Sequence, residues 1–186
     1  MKQILSNKTS YLQINGSKFY AYSFEIEDEE SAKKHIEKLR DDNKKAVHVC
    51  YGYVLKKDNQ IIQRFNDDGE PKNSAGKKIL QALLDLDFIN SLIVVGRYKS
   101  KSMLGLGLLT RSYYNFALYL VKNNENWIEF IEKEFMEIFL GSEKEKNAIL
   151  NYLKSNNISY QLDYINKKIS CYLNKQQKEK LISFCL

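Results

Sequence analysis

The chain has 186 residues, of which 44% are hydrophobic and 28% charged, and its formal net charge is +6. This composition supports a buried core beneath an ordinary soluble surface. No apolar run approaches the roughly 20 residues of a membrane-spanning helix, and the polar N-terminal segment lacks the apolar centre of a signal peptide. We therefore expect a cytoplasmic protein with no membrane partner.

Cysteine usage and charge narrow the class of protein further. The three cysteines are widely spaced and form no CxxC pair, which argues against a disulfide framework and against a structural zinc site. The positive charge favours a polyanionic partner such as RNA. A lysine-rich composition inherited from an AT-rich genome gives the same net charge, so both interpretations stay open.

The first predicted elements are a β-hairpin and a helix. The Asn-Gly pair at 15–16 is a strong hairpin signal, and we place strands at 11–14 and 18–26 on either side of it. Asp28 is a good N-cap for a helix that ends near residue 40. The apolar residues of this helix fall on one face, namely Ala32, Ile36 and Leu39.

A second hairpin, a helix and a buried strand follow. Alternating apolar residues predict a strand at 47–55, with a hairpin partner at 60–65. Ser74 is predicted to cap a helix over 75–86. A near-continuous apolar run at 91–96 is typical of a strand that is buried on both faces.

The last part of the chain predicts a second domain. A helix at 107–122 leads into the polar linker at 123–126, and we divide the chain there into domains 1–123 and 127–186. The element order β-α-β-β-α in the second domain predicts a small ferredoxin-like sandwich. Its elements are a strand at 135–140, a helix capped by Ser142 with Glu145 in the capping-box position, strands at 158–165 and 168–173, and a helix at 175–184.

An acidic loop is the first candidate site. Asp67, Asp68 and Glu70 place three carboxylates within four positions, on a loop punctuated by Gly69 and Pro71. Such carboxylates can hold Mg²⁺ through water or supply a general base. The alternative is a polar turn, in which Asp side chains accept hydrogen bonds from nearby backbone amides.

Gly76 and Lys77 lie at the start of the helix that follows the acidic loop. A helix N-terminus beside a lysine can bind a phosphate group. The segment lacks the first glycine and the spacing of a Walker A loop. The alternative is a capped helix with a solvated lysine.

A basic segment is the next candidate site. It contains no acidic residue and combines cations, tyrosines and a Gly-x-Gly pair, namely Arg97, Tyr98, Lys99, Lys101, Gly105, Gly107, Arg111 and Tyr113. Cations interleaved with aromatic rings suit contact with a nucleic acid backbone together with base stacking. A solvated basic face is the alternative.

His48 and Cys50 form the last candidate pair. A cysteine with a histidine suggests an activated nucleophile. However, residues i and i+2 of a strand share a face whether or not they react, so their spacing alone does not make a catalytic dyad. We expect no catalytic pair here and no cofactor.

The order of these segments along the chain is informative. The segments are Ser17-Lys18-Phe19; Ala46-x-His48-x-Cys50-Tyr51-x-Tyr53; Asp67-Asp68-Gly69-Glu70-Pro71 with Ala75-Gly76-Lys77; Arg97-Tyr98; and Leu104-Gly105-x-Gly107 with Arg111-x-Tyr113. In this order they resemble the IMPACT/YigZ family over about residues 17–120. The resemblance implies an α+β fold, with a ribosomal protein S5 domain 2-like N-terminal domain followed by a small ferredoxin-like C-terminal domain.

The resemblance also carries functional expectations. The family's eukaryotic namesake regulates translation initiation through protein partners, so ribosome or nucleic-acid association is implied for this chain. The family usually has Phe-Gly-Gly after Arg-Tyr and paired glycines before the next helix. Here Lys99-Ser100-Lys101 and Gly107-Leu108 stand at those positions, which removes backbone freedom and adds positive charge.

Three functions fit these residues. The leading hypothesis is a translation-associated protein that contacts RNA or the ribosome through Lys77, Arg97, Tyr98, Lys99, Lys101 and Arg111. In that hypothesis, Asp68 and Glu70 pair with Arg97 or Arg111. The second hypothesis is a protein-interaction module in translation regulation with an apolar, aromatic surface, and the third is a metal-dependent hydrolase that uses the acidic loop.

Overall fold

The computed structural model places two compact units, Met1–Phe130 and Ile131–Leu186. The residues it describes are 1–57, 60–98, 104–122, 127–129 and 133–184. The predicted turn at 58–59, the polar linker, and Lys99 and Lys101 therefore lie outside the described residues. No helix in the described part of the chain is long and apolar enough to cross a membrane.

The first unit contains seven strands and three helices among its described residues. In chain order they are β1 (Lys2–Ile4), β2 (Lys8–Ile14), β3 (Ser17–Glu25), α1 (Glu29–Asp42), β4 (His48–Lys57), β5 (Gln60–Asn66), α2 (Gly76–Asp85), β6 (Ser91–Tyr98), α3 (Leu106–Lys122) and β7 (Trp127–Glu129).

Local signals explain the first elements of this unit. Asn15 and Gly16 both have positive φ, at 46° and 78°, which is the backbone of the tight turn that joins twisted antiparallel strands. Asp28 caps α1 by accepting a hydrogen bond from the Ser31 amide at 2.7 Å, and the Ser31 side chain completes the capping box. The predicted hairpin and the predicted cap are both confirmed.

A five-stranded antiparallel sheet, in the order β2-β3-β6-β4-β5, forms the centre of the first unit. The helices α2 and α3 cover one face, where Ile79 and Phe116 are buried, and α1 covers the other face with Leu39. Alternate residues of β6 enter both cores, since Val95 packs with α2 and α3 whereas Val94 packs with α1. Burial on both faces explains the continuous apolar sequence of β6.

Two short strands close the first unit. β1 and β7 pair in an antiparallel ladder, with Gln3 opposite Ile128. The Trp127 ring packs edge-on against Phe88, with 6.4 Å between ring centroids. Sequence analysis found no strand at β1 and placed 127–129 at the start of the second domain, whereas this segment pairs within the first compact unit.

The second unit has the element order β-α-β-β-α. Its three-stranded sheet has the order β8-β10-β9 and both pairings are antiparallel, so β8 and β9 run parallel on either side of β10. This is the order of the first three strands of a ferredoxin-like sandwich. Its elements are β8 (Glu134–Phe139), α4 (Glu143–Ser155), β9 (Tyr160–Asp163), β10 (Lys168–Leu173) and α5 (Lys175–Ile182).

The core and caps of the second unit follow the sequence pattern. Ile149 and Leu153 of α4 are buried against Ile169 of the sheet. Ser142 and Glu145 form the predicted capping box at the start of α4. The predicted α+β fold, with a larger N-terminal domain and a small ferredoxin-like C-terminal one, is confirmed.

Candidate functional site

A buried ion pair lies at the centre of the motif residues in the first unit. Arg97, near the end of β6, meets Glu70 of the acidic loop through two hydrogen bonds, Nε to Oε1 at 2.5 Å and Nη2 to Oε2 at 3.0 Å. The two residues are only 5% and 8% exposed. Paired contacts of this kind are the strongest that arginine forms with a carboxylate. The predicted pairing of Glu70 with Arg97 is present.

This burial corrects the role predicted for Arg97. Sequence analysis assigned its guanidinium to a nucleic acid partner, but Glu70 and the fold already enclose it. Burial by itself lowers the pKa of Arg97, and the hydrogen bonds and charge of Glu70 outweigh it, so the net direction is upward. Arg97 is therefore a positioning residue of the fold.

Other side chains extend this ion pair into a buried polar cluster, which we define as Arg97, Glu70, Tyr113 and Cys50. The Tyr113 hydroxyl of α3 donates to Glu70 Oε1 at 2.8 Å. The Cys50 thiol lies 3.5 Å from that hydroxyl and 3.1 Å from the backbone oxygen of Asp67. One carboxylate thus joins the end of β6 to the first half of α3.

Asp67 of the acidic loop caps helix α2. Its Oδ1 accepts the amides of Ala75 and Gly76 at 3.0 and 2.8 Å, and its Oδ2 accepts the amide of Asn73 at 2.7 Å. A carboxylate at this position satisfies free amides and lies at the positive end of the helix dipole.

At the start of α2 the predicted cap was wrong, and the contacts favour the capped-helix interpretation over a phosphate site. Ser74 does not cap the helix, since its hydroxyl donates to the backbone oxygen of Pro71 at 2.6 Å. The predicted phosphate site around Gly76 is already filled by the Asp67 carboxylate. A Cβ on Gly76 would lie 2.3 Å from the oxygen of Asn66, so the glycine permits close packing of the two backbones, while Lys77 is exposed.

Asp68 has a different partner from the one predicted. Its Oδ1 accepts Arg40 Nη2 at 2.8 Å and its Oδ2 accepts the Val49 amide at 2.6 Å. The pairing of Asp68 with Arg97 or Arg111 was therefore wrong. Asp68 and Gly69 both have positive φ, at 45° and 82°, which turns the loop back towards β4.

These contacts favour the polar-turn interpretation of the acidic loop over the metal-site one. Each of its three carboxylates already accepts hydrogen bonds from protein donors. Within the described residues, no group of three or more His, Cys, Asp or Glu side chains is placed to hold a metal ion. The loop connects β4 and β6 to all three helices of the first unit, through hydrogen bonds to Arg40 of α1, the first amides of α2 and Tyr113 of α3.

His48 and Cys50 also hold the acidic loop against β4. His48 Nδ1 lies 2.8 Å from the Asp68 backbone oxygen, and its Nε2 lies 3.7 Å from Glu70 Oε2. The Cys50 side chain is fully buried. Burial raises the pKa of its thiol, and the nearby carboxylates raise it further. A protonated, enclosed thiol is a poor nucleophile.

The thiols give a direct test of this burial. We expect iodoacetamide at pH 8 to modify Cys50 and Cys171 at least about a hundredfold more slowly in the native protein than in guanidinium chloride. Both side chains are buried, and burial raises both thiol pKa values. Peptide mass spectrometry measures each site separately. Rapid native labelling of Cys50 would instead reveal a reactive thiolate.

The remaining motif residues are distributed around the start of α3. The Tyr98 hydroxyl donates to Asn43 Oδ1 at 2.7 Å, which ties the end of β6 to the end of α1. A Cβ on Gly105 or Gly107 would meet no atom within 4 Å. Neither glycine is therefore required by close packing. Arg111 is exposed on α3.

Sequence analysis missed three contributors to this region. Arg40, near the end of α1, binds Asp68, and Asn43, which follows that helix, accepts a hydrogen bond from Tyr98. Sequence analysis assigned no contact to either residue. It also missed an open groove between β2 and α3, with a volume of about 590 Å³, beside Arg111. The spacing of Arg111, Asn115 and Tyr119 along one helical face is the signal that could have found it.

Fold and site together define an α+β protein in which buried contacts between motif residues stabilise the first unit. The Impact N-terminal domain matches residues 15–121, which is more than half of the chain, and the chain belongs to the IMPACT family. It is 33% identical over 125 residues to the IMPACT family member YvyE of Bacillus subtilis, covering 67% of this chain and 55% of that protein.

Two further comparisons concern the family and the fold. The IMPACT family member YigZ of Escherichia coli is 32% identical over 102 residues, covering 54% of this chain and 50% of that protein. The chain thus spans about half the length of the curated relatives it matches. A crystal structure of a hypothetical protein, 21% identical, shares the fold with a TM-score of 0.65 and covers 98% of this chain and 91% of that one.

Proposed function

We propose that this chain is a cytoplasmic, translation-associated binding protein that contacts RNA, including ribosomal RNA, through a basic region of its first unit. Membership of the IMPACT family, whose eukaryotic namesake regulates translation initiation, supports the link to translation. The candidate catalytic groups already form hydrogen bonds within the fold, namely Cys50, Asp67, Asp68 and Glu70. This favours a binding role over a catalytic one.

The charge distribution around α3 supports a polyanionic partner. No acidic residue occurs between Asp87 and Glu125, whereas this stretch contains Lys99, Lys101 and Arg111. The charge of Arg97 is neutralised by Glu70 inside the fold, so the remaining cations carry the proposed contact. A cluster of one sign of charge attracts a nucleic acid backbone without reading its sequence.

The observation that carries the proposal is the double role of Glu70. Its carboxylate binds Arg97, which precedes the lysines in the sequence, and Tyr113, which follows them. The two flanks of the basic segment are therefore held at one buried carboxylate. Fixed flanks reduce the conformational entropy that a binding segment loses when its partner arrives.

RNA binding across a salt series tests this proposal. We expect the logarithm of the wild-type binding constant for a generic structured RNA to fall linearly with the logarithm of the salt concentration. Lys99→Ala/Lys101→Ala/Arg111→Ala should flatten that slope by about 2 to 3, because each lost phosphate contact removes about 0.9. Ribosome co-sedimentation at the same salt concentrations measures the same loss on the assembled particle.

The matched control removes the same charge from the second unit. Lys144, Lys154 and Lys175 are exposed, and their replacement by alanine should leave the slope unchanged. An equal loss in this control would mean that net charge alone drives binding. No binding of wild type at low salt would overturn the proposal.

A further inference from the structure

The groove between β2 and α3 has an apolar floor and a polar rim. Leu12 and Ile14 of β2 and Phe116 of α3 line it, and Arg111 and Asn115 stand on the helix side. Leu12 and Ile14 are only partly buried, although they pack against the main core. Apolar side chains left accessible in a groove of this size mark a binding surface more often than a plain monomer surface.

One wall of the groove is the edge of a sheet. In the order β2-β3-β6-β4-β5, the strand β2 pairs with β3 and has no partner on its other side among the described strands. An edge strand presents alternate backbone N–H and C=O groups outwards, which is a template for a further strand. The groove is lined by successive residues of β2, Tyr11 and Leu12, which point to opposite faces of the sheet, and by no residue of β3. This lining places the groove beside the unpaired side of β2.

The dimensions suit a short extended segment. The β2 residues that line the groove span 11–14, or about 13 Å of strand. The α3 residues that line it run from Leu108 to Tyr119, or about 16 Å of helix. Four or five residues in extended conformation match both lengths.

The charges indicate the chemistry of the occupant. Among the residues that the structure describes, Arg111 is the only charged one that lines the groove, and α3 contains no acidic residue. A carboxylate on the partner complements this cation. RNA would bring one phosphate per nucleotide to an apolar floor with a single cation, so a peptide with apolar side chains and an acid fits the surface better.

We propose that this groove binds an extended peptide segment of a partner protein, which adds as a strand to the free edge of β2. Its apolar side chains pack on Leu12, Ile14 and Phe116, and an acidic group of the segment faces Arg111. This mode of recognition combines backbone hydrogen bonds with side-chain pockets. It is separate from the proposed RNA contact, although Arg111 borders both.

Selection from a phage-displayed library of random ten-residue peptides tests the proposal without knowledge of the partner. We expect enriched sequences to alternate apolar residues and to include an acid. Binding of a synthesised, fluorescein-labelled enriched peptide should slow amide hydrogen exchange in β2. The other sheet edge, β5, serves as the internal control, and its exchange should be unchanged.

Three variants locate the peptide on the protein. Arg111→Glu should weaken peptide binding roughly tenfold, since it replaces an attraction by a repulsion. Lys122→Glu makes the same charge change on the same helix outside the groove and should leave affinity unaltered. Asn115→Trp, at an exposed helical position, should fill the groove and abolish binding. Circular dichroism and thermal unfolding confirm that each variant is folded.

The outcomes separate this proposal from the RNA contact. Asn115→Trp leaves the charge intact, so its RNA salt slope should equal that of wild type while peptide binding is lost. The peptide proposal is overturned if no sequence is enriched, if the enriched peptide binds Asn115→Trp as tightly as wild type, or if it protects β5. Protection of β2 by an RNA oligonucleotide and by no peptide also overturns it and makes the groove a nucleic-acid site.

Discussion

Arg97→Ala is expected to lower the free energy of unfolding of the first unit by about 3–5 kcal/mol, because it leaves the Glu70 carboxylate buried without its partner. Glu70 is 8% exposed. Its remaining neighbours are the Tyr113 hydroxyl at 2.8 Å, which cannot neutralise a charge, and His48 Nε2 at the longer distance of 3.7 Å. The same substitution frees the end of β6 from the acidic loop. Arg97→Ala therefore tests stability, and weaker RNA binding by this variant would reflect the altered fold and not a lost contact with RNA.

Chemical denaturation followed by tryptophan fluorescence measures this loss. Trp127 is the single tryptophan of the chain and packs against Phe88, so its emission reports on the first unit. Arg40→Ala is the matched control, since Arg40 also pairs with the acidic loop but is 52% exposed, and exposed pairs contribute at most about 1 kcal/mol. Equal losses in the two variants would contradict the prediction.

A double variant measures the coupling between Glu70 and Arg97 separately from the cost of leaving one charge buried without a partner. Glu70→Gln/Arg97→Met removes both charges and keeps similar side-chain volumes, so neither charge remains unpaired. We expect its loss to be smaller than the sum of the losses of Glu70→Gln and Arg97→Met, because the two side chains are in direct contact. Additive losses would mean that the pair is not coupled.

Elements with a local signal could be predicted from the sequence, and elements that depend on distant contacts could not. The turn at Asn15 and the capping box of Ser142 and Glu145 are encoded within four residues, and both are present. The pairing of Lys2–Ile4 with Trp127–Glu129 joins segments more than a hundred residues apart. Strands of three residues carry too little periodicity to reveal such a ladder.

The candidate site shows the same limit. The motif order identified several of the residues that meet in the structure, including Cys50, Glu70 and Tyr113. The Glu70–Arg97 pair was among the predicted alternatives. The burial of Arg97 could not be predicted, since an arginine at the end of a strand is expected to be exposed unless a loop folds over it. The sequence does not reveal that fold-over. The Arg40 contact with Asp68 was missed for a related reason, because it depends on how α1 packs against the sheet.

The start of α2 provides the sharpest contrast between a local signal and the folded contact. Sequence rules favour Ser74 as the cap, but the helix amides are bound by Asp67, eight and nine residues away. A carboxylate delivered by the loop satisfies three amides at once, which a serine hydroxyl cannot do. The acidic loop and α2 therefore stabilise each other.

Asp67→Asn should accordingly lower the free energy of unfolding by about 2–4 kcal/mol, through an unsatisfied amide and a lost charge at the helix N-terminus. The substituted side chain has one oxygen for the three amides that the carboxylate accepts, and its NH₂ group faces a donor. Ser74→Ala should cost about 1 kcal/mol or less, because its hydroxyl only donates to Pro71. Trp127 fluorescence during denaturation measures both variants. If Ser74→Ala proved the more damaging, the serine would be the working cap and the structural assignment of Asp67 would be wrong.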